Sequence, residues 1–333
     1  MPRADDDITV DVAADDDIAV DVVVVAWNAE EHLNACLTAL AAQRGVAVRV
    51  TVIDNASVDA TLLVASAHEG VRVVANSDNV GFAGAANQGW ALSSAPFVMT
   101  LNPDVSLEPD CLATLVAEMR GRPDVGWITP LLVNDGGTVD SAGHSFHHPR
   151  LFRNRGQGLP SEQAPASGYV FGATGAAALY RREALGAAAA ADPAGRPWDD
   201  GCFAYWEDVD LDWRLQRLGY RCWYERTARG RHVRGVARRR APEVVEMLNY
   251  RNRFRVIWRN DSLAGFLAHL PGFLATTALK TGDLLVTHPK AFVKAVRTLR
   301  FGARPRGSGR PSSERFAYGP WLKEHLRRVT RRR

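Results

Sequence analysis

The stretch FVMTLNPD, residues 97–104, joins a run typical of a buried strand to an abrupt polar end. Pro103 must end the strand, because proline has no N–H to donate to the ladder and a fixed φ. Asp104 is therefore expected at the carboxyl edge of a sheet, where open α/β sheets bind ligands. A carboxylate there can meet a hard cation or a sugar hydroxyl. An Asx-type turn before a helix near Pro109 is the alternative explanation.

Strands and helices alternate on either side of this stretch. Residues 22–25, 48–53 and 71–74 are rich in β-branched side chains, and a helical pattern follows each of them. Asn28 and Glu31 have the spacing of a capping box for the first of these helices. The alternation predicts an α/β fold with a mostly parallel, helix-covered sheet.

Composition and charge limit the class of protein. The 333 residues suit one large α/β domain with an appendage, or two domains. A hydrophobic content of 46% and a charged content of 23% are typical of a soluble globular protein. The net charge of +4 hides an asymmetry, since residues 5–21 carry only acidic charges and residues 290–333 are strongly basic. Such a basic end can bind anionic lipid or nucleic acid, or remain solvated.

The sequence has no cysteine motif and no recognisable targeting signal. Its cysteines form no CxxC pair and no metal-ligand spacing, which fits a reducing compartment. The acidic start of the chain lacks an apolar signal region, so we expect no secretory signal. The uncharged residues 262–279 are marginal for a membrane span, and basic residues follow. They predict helices on a membrane surface, with a soluble helical appendage as the alternative.

Polar residues crowd the turn after the second strand: Asp54, Asn55, Ser57 and Asp59. Ser57 or Asp59 is expected to cap the next helix. Asp54 ends the strand, and its acceptor-only carboxylate suits the imide N–H of uracil or thymine. Asn79 and Asn87 could hold a ribose or cap the third helix. The glycine-rich residues 81–87 do not indicate a nicotinamide cofactor, because the acidic residue of that fingerprint follows the glycines, whereas Asp54 precedes them.

The segment WEDVDLD, residues 206–212, places four carboxylates at a helix start, where the macrodipole favours them. Aromatic residues precede it directly: Phe203, Tyr205 and Trp206. Together they suggest a wall for a sugar ring beside a carboxylate that can take a proton from a hydroxyl. Val209 and Leu211 are expected in the core. Asp210 and Asp212 are expected either on the surface or beside two arginines, Arg214 and Arg217.

His232 lies among arginines in the segment 229–234. A lone histidine is usually structural, and this one could belong to a basic patch with its neighbours; a ligand position is the less favoured alternative.

Taken in order, these motifs resemble the family 2 inverting glycosyltransferases of GT-A fold. The resemblance is greatest to bacterial rhamnosyltransferase-type enzymes of cell-wall and O-antigen assembly, and it runs from about residue 22 to about residue 255. It rests on VVVAWN at 23–28, DNASVD at 54–59, NVGFA at 79–83 with Asn87 and Gly89, LNPD at 101–104, WEDVDL at 206–211, and His232.

The resemblance implies a role for each matching position. The nucleotide-sugar site would take in Ala26, Asn28, Asp54, Asn55, Ser57, Asn79, Gly81, Phe82, Asn87, Asn102 and Asp104. Asp208 would be the catalytic base, with Glu207 as its companion. Trp206 and Tyr205 would bind the acceptor. Asp104 and His232 would hold Mg²⁺ or Mn²⁺.

Two departures from the family pattern bear on the donor. Asn102 stands where the family carries the first acid of a DxD motif, and Ala26-Trp27-Asn28 replaces its Thr-Tyr-Asn. We expect L-rhamnose from dTDP-rhamnose, with a galactofuranosyl or hexosyl donor carried by dTDP or UDP as the alternative. A metal-dependent nucleotidyltransferase and a non-enzymatic membrane or nucleic-acid adaptor are the competing functions.

The same pattern divides the chain into segments. Residues 1–17 are expected to be a disordered acidic lead-in and residues 18–245 the GT-A catalytic domain, with a nucleotide-sugar half at 18–125 and an acceptor half at 126–245. Residues 246–333 are expected to be a helical, basic tail on an anionic membrane surface. The expected acceptor is a glycan or a polyprenyl-diphosphate-linked sugar, no nucleic acid partner is expected, and the expected location is the cytoplasmic face of the cell membrane.

Overall fold

The computed structural model describes residues 18–235 and 239–306. The predicted acidic lead-in at 1–17 and the last part of the basic tail, 307–333, lie outside the described residues.

Most of the described strands form one ten-stranded sheet in the order β10-β12-β6-β11-β4-β1-β2-β3, with β5 paired to β12 and β7 to β6. β8 and β9 form a separate hairpin. The strands are β1 (Ala19–Ala26), β2 (Ala47–Asp54), β3 (Arg72–Ala75), β4 (Phe97–Leu101), β5 (Val105–Leu107), β6 (Val125–Val133), β7 (Val139–Ser141), β8 (His144–His147), β9 (Leu151–Asn154), β10 (Gly168–Val170), β11 (Ala177–Arg181) and β12 (Arg221–His232).

The helices cover this sheet and continue beyond it. They are α1 (Glu30–Ala41), α2 (Thr61–Ser66), α3 (Gly81–Leu92), α4 (Cys111–Arg120), α5 (Arg182–Ala191), α6 (Glu207–Arg217), α7 (Pro242–Asn260), α8 (Leu263–Ala268), α9 (Leu270–Thr287) and α10 (Pro289–Thr298). No helix in the described ranges is long and apolar enough to cross a membrane.

The predicted mostly parallel α/β sheet is confirmed. β4, β1, β2 and β3 run parallel, and β12 runs parallel to β6. β11 lies antiparallel between β4 and β6. Every residue of β1 is buried, which explains its apolar run from Val22 to Ala26. The buried Asp21 of this strand pairs with Arg49 at 2.7 Å. The four predicted strands all form, with small shifts at their ends.

The carboxyl ends of the parallel strands meet at one edge of the sheet. Ala26 pairs in register with Asp54, and Val24 pairs with Leu101. The residues that follow these strands therefore lie near one another, as the motif positions predicted.

The predicted capping box of α1 is wrong. The cap residue is Ala29, without a side-chain cap bond, and Asn28 has a left-handed backbone with φ of 49°. The Asn28 side chain turns to the neighbouring loop instead, where its Oδ1 accepts the Val58 N–H at 2.9 Å. Asn28 therefore joins two loops at the sheet edge and does not cap its own helix.

Candidate active site

Asp104 and His232 meet because β5 pairs antiparallel with β12. His232 lies opposite Val105 in that pairing, next to Asp104. The Nε2 atom of His232 lies 3.4 Å from Oδ1 of Asp104, and its Nδ1 lies 2.7 Å from Oδ2 of Asp140. Arg234 holds the other oxygen of Asp140 at 2.6 Å. Nε2 of His232 thus faces Asp104 at the sheet edge, while the contact of Nδ1 with Asp140 fixes the ring.

The electrostatics of this cluster follow from its charges. Burial alone would lower the pKa of His232, but the Asp104 and Asp140 carboxylates raise it to about 9. Burial would raise the pKa of Asp140, and contact with His232 and Arg234 holds it below its usual range. The two carboxylates therefore favour a proton on Nε2 when no cation is bound, and a cation at Nε2 would take the place of that proton.

The donor atoms of this cluster fit a divalent cation with few protein ligands. An oxygen of Asp104 and a nitrogen of His232 are close enough to ligate one ion, and Asp140 supplies the carboxylate that commonly orients a metal-bound histidine. No group of three or more His, Cys, Asp or Glu in the described part of the chain could hold an ion. Such an ion would take its other ligands from phosphate oxygens and water, as Mg²⁺ does in phosphate sites.

Asp54 keeps one carboxylate oxygen without a partner at the end of β2. Its side chain is buried, with 3% exposed. Oδ2 accepts the Ser57 N–H at 3.2 Å, whereas Oδ1 is buried without a hydrogen bond among the described residues. A buried oxygen without a hydrogen-bond donor costs free energy. A ligand that donates an N–H to Oδ1 would therefore bind favourably there.

The turns after β1 and β2 are tied to each other by side chains. Ser57 Oγ accepts the Asn28 N–H at 2.8 Å, and Asp59 Oδ1 accepts the Thr61 N–H at 3.0 Å at the start of α2. Ser57 therefore does not cap α2, whereas the Asp59 carboxylate accepts a backbone N–H in the first turn of that helix. Asn55 Nδ2 donates to the Gly81 carbonyl at 3.0 Å, which fixes the start of α3.

Gly81 allows a close approach between α3 and the loop before α6. It has φ of 78°, and a Cβ added to it would lie 2.4 Å from the Phe203 carbonyl oxygen. Asn79 Oδ1 accepts the Gly81 N–H at 2.9 Å, so it supports the start of α3. Phe82, the next residue, is half-buried.

Two predicted binding residues point into the protein. The Ala26 side chain is fully buried in the main hydrophobic cluster. Asn87 lies in the middle of α3, where its Nδ2 donates to the Trp198 carbonyl and to Asp200, so the alternative that it caps α3 is wrong. We assign both side chains to support of the site.

The loop before α6 has a backbone that side chains rarely adopt. Phe203, Tyr205 and Trp206 all have positive φ, between 66° and 73°. Each such residue costs about 1–3 kcal/mol and persists only where its surroundings impose it. Trp206 packs edge-on against Phe152, with ring centroids 5.2 Å apart.

Asn252 of α7 imposes this backbone. Its fully buried Nδ2 donates to the carbonyl oxygens of Cys202 at 2.8 Å, Ala204 at 2.9 Å and Tyr205 at 2.7 Å. Sequence analysis missed this residue, since nothing in an asparagine within a helical segment predicts three acceptors in a distant loop.

Asp208 meets the edge of β4 through two neighbouring backbone groups. Its Oδ2 accepts the Gly175 N–H at 2.9 Å, and the Ala176 carbonyl accepts the Asn102 N–H at 2.9 Å. Asp208 at the start of α6 and the stretch that carries Asn102 and Asp104 therefore bind two adjacent residues, Gly175 and Ala176. The fold brings together motifs that are far apart in the chain.

Glu207, next to Asp208, is buried with 6% exposed. Burial and the charge of Asp208 raise its pKa well above the usual value. Burial and the neighbouring carboxylate thus both act against the charged form of Glu207.

The expectation that Asp210 and Asp212 are surface residues is wrong. Both are fully buried. Asp210 pairs with Arg214 at 2.8 Å, as the alternative predicted. Asp212 meets no arginine in the described structure and instead binds His144 Nδ1 at 2.8 Å. The predicted core positions, Val209 and Leu211, are buried.

Asp140 and His144 also escaped the sequence analysis. Both lie in the irregular strands after β6, where short segments give little periodicity. The segment DSAGH at 140–144 was a cluster of polar residues without a motif to mark it.

Comparison with known proteins agrees with this arrangement. The family model described as Glycosyl transferase family 2 matches residues 21–187. The N-acetylglucosaminyl-diphospho-decaprenol L-rhamnosyltransferase of Mycobacterium tuberculosis is 26% identical over 253 residues, which are 66% of this chain and 78% of that protein. The succinoglycan biosynthesis protein ExoO of Rhizobium meliloti is 33% identical over 96 residues, and this match spans only 28% of each protein.

Solved structures show the same fold. S. aureus TarS 1–349, in complex with UDP-GlcNAc, matches with a TM-score of 0.55 and 15% identity, over 85% of this chain and 82% of that one. GalNAc-T7 with UDP, GalNAc and Mn²⁺ matches with a TM-score of 0.57 and 13% identity, over 94% of this chain and 54% of that one. The predicted GT-A fold is confirmed.

Proposed function

Because the chain belongs to glycosyl transferase family 2, we propose that it is an inverting, metal-dependent enzyme that transfers L-rhamnose from dTDP-rhamnose. The acceptor is a hydroxyl of a glycan or polyprenyl-linked sugar in cell-envelope polysaccharide synthesis. The observation that carries this proposal is the junction at Gly175 and Ala176, where Asp208 and Asn102 bind neighbouring backbone groups. A base and a donor-side carboxylate at one sheet edge are what a single displacement requires.

In this proposal, Asp54 recognises the nucleobase of the donor. Its Oδ1 lacks a donor among the described residues and can accept the imide N–H of thymine or uracil. The Asn28–Ser57 bond holds the turn that presents this carboxylate. The surrounding side chains keep water away, so the contact is worth more than it would be in solvent.

The diphosphate lies at Asp104 and His232. These residues would hold Mg²⁺ or Mn²⁺, which when bound offsets the negative charge that grows on the leaving diphosphate. Asp140 keeps the His232 ring in the orientation that presents Nε2 to the site. Asn102, the neutral residue of the motif, leaves Asp104 as the acid of that pair.

Asp208 acts as the general base. It takes the proton of the acceptor hydroxyl while that oxygen bonds the anomeric carbon, and the electron pair of the broken bond leaves with the diphosphate. Attack on the face opposite the leaving group inverts the anomeric centre. Glu207 is the buried companion of the base, and Trp206 and Tyr205 form the wall on which the acceptor sugar lies.

The acceptor reaches the site from a membrane surface in this proposal. The exposed residues of α9 are all apolar or glycine: Pro271, Leu274, Ala275, Ala278, Leu279, Gly282, Leu285 and Val286. Their spacing of three and four places them on one face of the helix. The next helix, α10, exposes Lys290, Lys294 and Arg297 beside Val293 and Val296.

An apolar face followed by a basic helix suits an anionic bilayer surface. We therefore propose that the tail from residue 246 onward binds the cytoplasmic face of the membrane peripherally through α9 and α10. Residues 18–245 form the catalytic domain in this proposal, and α7 at the start of the tail contributes Asn252 to it. The name of the mycobacterial relative includes a decaprenol-diphosphate sugar, which supports a polyprenyl-linked acceptor here.

A donor screen tests the proposed function. The full chain with Mn²⁺ is given dTDP-rhamnose, UDP-galactofuranose, UDP-glucose or GDP-mannose together with an N-acetylglucosaminyl-diphospho-prenol, and nucleoside diphosphate release is measured. We expect release from dTDP-rhamnose. Preference for another sugar would support the alternative hexosyl or galactofuranosyl transfer, and release of pyrophosphate would indicate a nucleotidyltransferase.

A further inference from the structure

His144 lies between two carboxylates of α6. Its Nδ1 lies 2.8 Å from Oδ2 of Asp212, and its Nε2 lies 3.7 Å from Oδ2 of Asp208. The residue is buried, with 6% exposed. The two aspartates are four residues apart and share one face of the helix, so the ring spans from one to the other.

Asp212 is fixed in place by several donors. Its Oδ1 accepts the Trp127 indole N–H at 2.8 Å and the Ala173 N–H at 3.1 Å. A Cβ at Gly172 would lie 1.8 Å from Oδ2, so the backbone there closes directly over the carboxylate. Asp212 has no room to move and is a rigid anchor for the His144 ring.

The charges around the ring favour imidazolium. Burial alone would lower the pKa of His144, but the hydrogen bond to Asp212 and the charge of Asp208 raise it above the usual value. Burial raises the pKa of Asp212 to about 6, although His144 works against this. Other titratable groups near these carboxylates include Tyr180, Glu207 and Cys222, and burial raises the pKa of each well above its usual value.

We propose that His144 is a positioning residue which, anchored by Asp212, fixes the Asp208 carboxylate for proton transfer from the acceptor hydroxyl. This inference rests on the proposed function, because it assigns the role of base to Asp208. Oδ2 of Asp208 is held by the Gly175 N–H and faces His144, while Oδ1 accepts the N–H of Val209. Two backbone N–H groups thus hold the carboxylate, and the His144 ring faces it at 3.7 Å, an ion-pair distance that is too long for a hydrogen bond.

His144 neither gains nor loses a proton in this role. The acceptor O–H bond breaks and the proton moves to Asp208, while the His144 ring keeps its Nδ1 contact with Asp212. A nearby cation also reduces the proton affinity of a carboxylate. The benefit therefore comes from orientation, since a base misplaced by about 1 Å loses roughly a hundredfold in rate.

Variants at His144 separate orientation from a general structural role. We expect His144→Ala to lower kcat about tenfold to a hundredfold while the Kd of dTDP-rhamnose stays within about twofold. His144→Gln carries an amide N–H in place of Nε2–H and should recover part of the loss. The control, His68→Gln, changes a histidine that bonds Asn34 on the surface and should leave kcat unchanged. Equal losses for Ala and Gln, or parallel loss of donor binding, would overturn the proposal.

A second measurement does not depend on any transferase activity. The side-chain pKa of His144 is followed by NMR on histidine-labelled full chain, in the wild type, in Asp208→Asn and in Asp212→Asn. We expect a lower pKa in both variants, because each removes one charge that faces the ring. An unchanged pKa in Asp208→Asn would overturn the contact on which the inference depends. Failure of the donor screen with a normal NMR result would instead reject the proposed donor and leave the contact between His144 and Asp208 in place.

Discussion

Nε2 of His232 lies 3.4 Å from Oδ1 of Asp104, at the point where β5 and β12 pair. Asp104 follows the central strand β4, whereas His232 ends the long strand β12 on the other half of the sheet. Antiparallel pairing of the short β5 with β12 brings these two residues together. The contact joins the donor side of the proposed site to a histidine that no local pattern connects with it.

The first prediction concerns the metal at this contact. We expect Asp104→Ala to abolish the Mn²⁺-dependent increase in dTDP binding, and His232→Ala to weaken it about tenfold or more. Calorimetry with and without Mn²⁺ measures both effects. Arg231→Ala is the control, because Arg231 is exposed on the same strand and pairs with Asp135. Unchanged metal dependence in Asp104→Ala would contradict the assignment.

The second prediction concerns the base. Asp208→Asn should reduce sugar transfer by at least about a hundredfold, since the amide cannot take the proton. The Kd of dTDP-rhamnose should change little, because the nucleotide is bound at the other strand ends. Turnover and calorimetry are compared on the same preparation. If donor binding disappears together with activity, Asp208 is a structural residue.

The third prediction concerns the strained loop before α6. Asn252→Ala removes the donor that holds three carbonyls, so we expect a loss of about 1–3 kcal/mol in the free energy of unfolding and a fall in kcat. Asn249→Ala is the matched control on the same helix, because Asn249 bonds only the Val245 carbonyl one turn earlier. Urea unfolding and turnover are measured for both. Equal effects of the two substitutions would argue against a special role of Asn252.

The fourth prediction concerns the apolar face of α9. The double variant Leu274→Glu with Leu285→Glu should lower sedimentation with anionic liposomes at low salt, because both side chains are about half exposed on that face. Leu63→Glu changes an exposed leucine of α2 and should sediment like the wild type. Binding should also weaken as salt increases, since α10 is basic. A wild-type full chain that stays in the supernatant at low salt would exclude the membrane proposal.

Sequence analysis succeeded where a signal is local. The strands β1, β2 and β4 are runs rich in β-branched or apolar residues, which predict strands, and Pro103 marks where β4 must stop. Sequence analysis failed where polar residues have several possible partners. The local pattern favours a cap role for Asn28 and either a surface position or an arginine partner for Asp212, because the partners that they actually bind lie on other elements.

The sequence by itself determined the parallel sheet, the edge at which Asp54 and Asp104 lie, and the order of motifs that indicated the family. These depend on period, proline and strand-end chemistry within a few residues. Tertiary structure alone decided that His232 faces Asp104, that Asn252 holds the loop of Tyr205, and that His144 lies between Asp208 and Asp212. Each of these contacts joins elements far apart in the chain, and only the packing of β12, α6, α7 and the β8 hairpin against one another creates them.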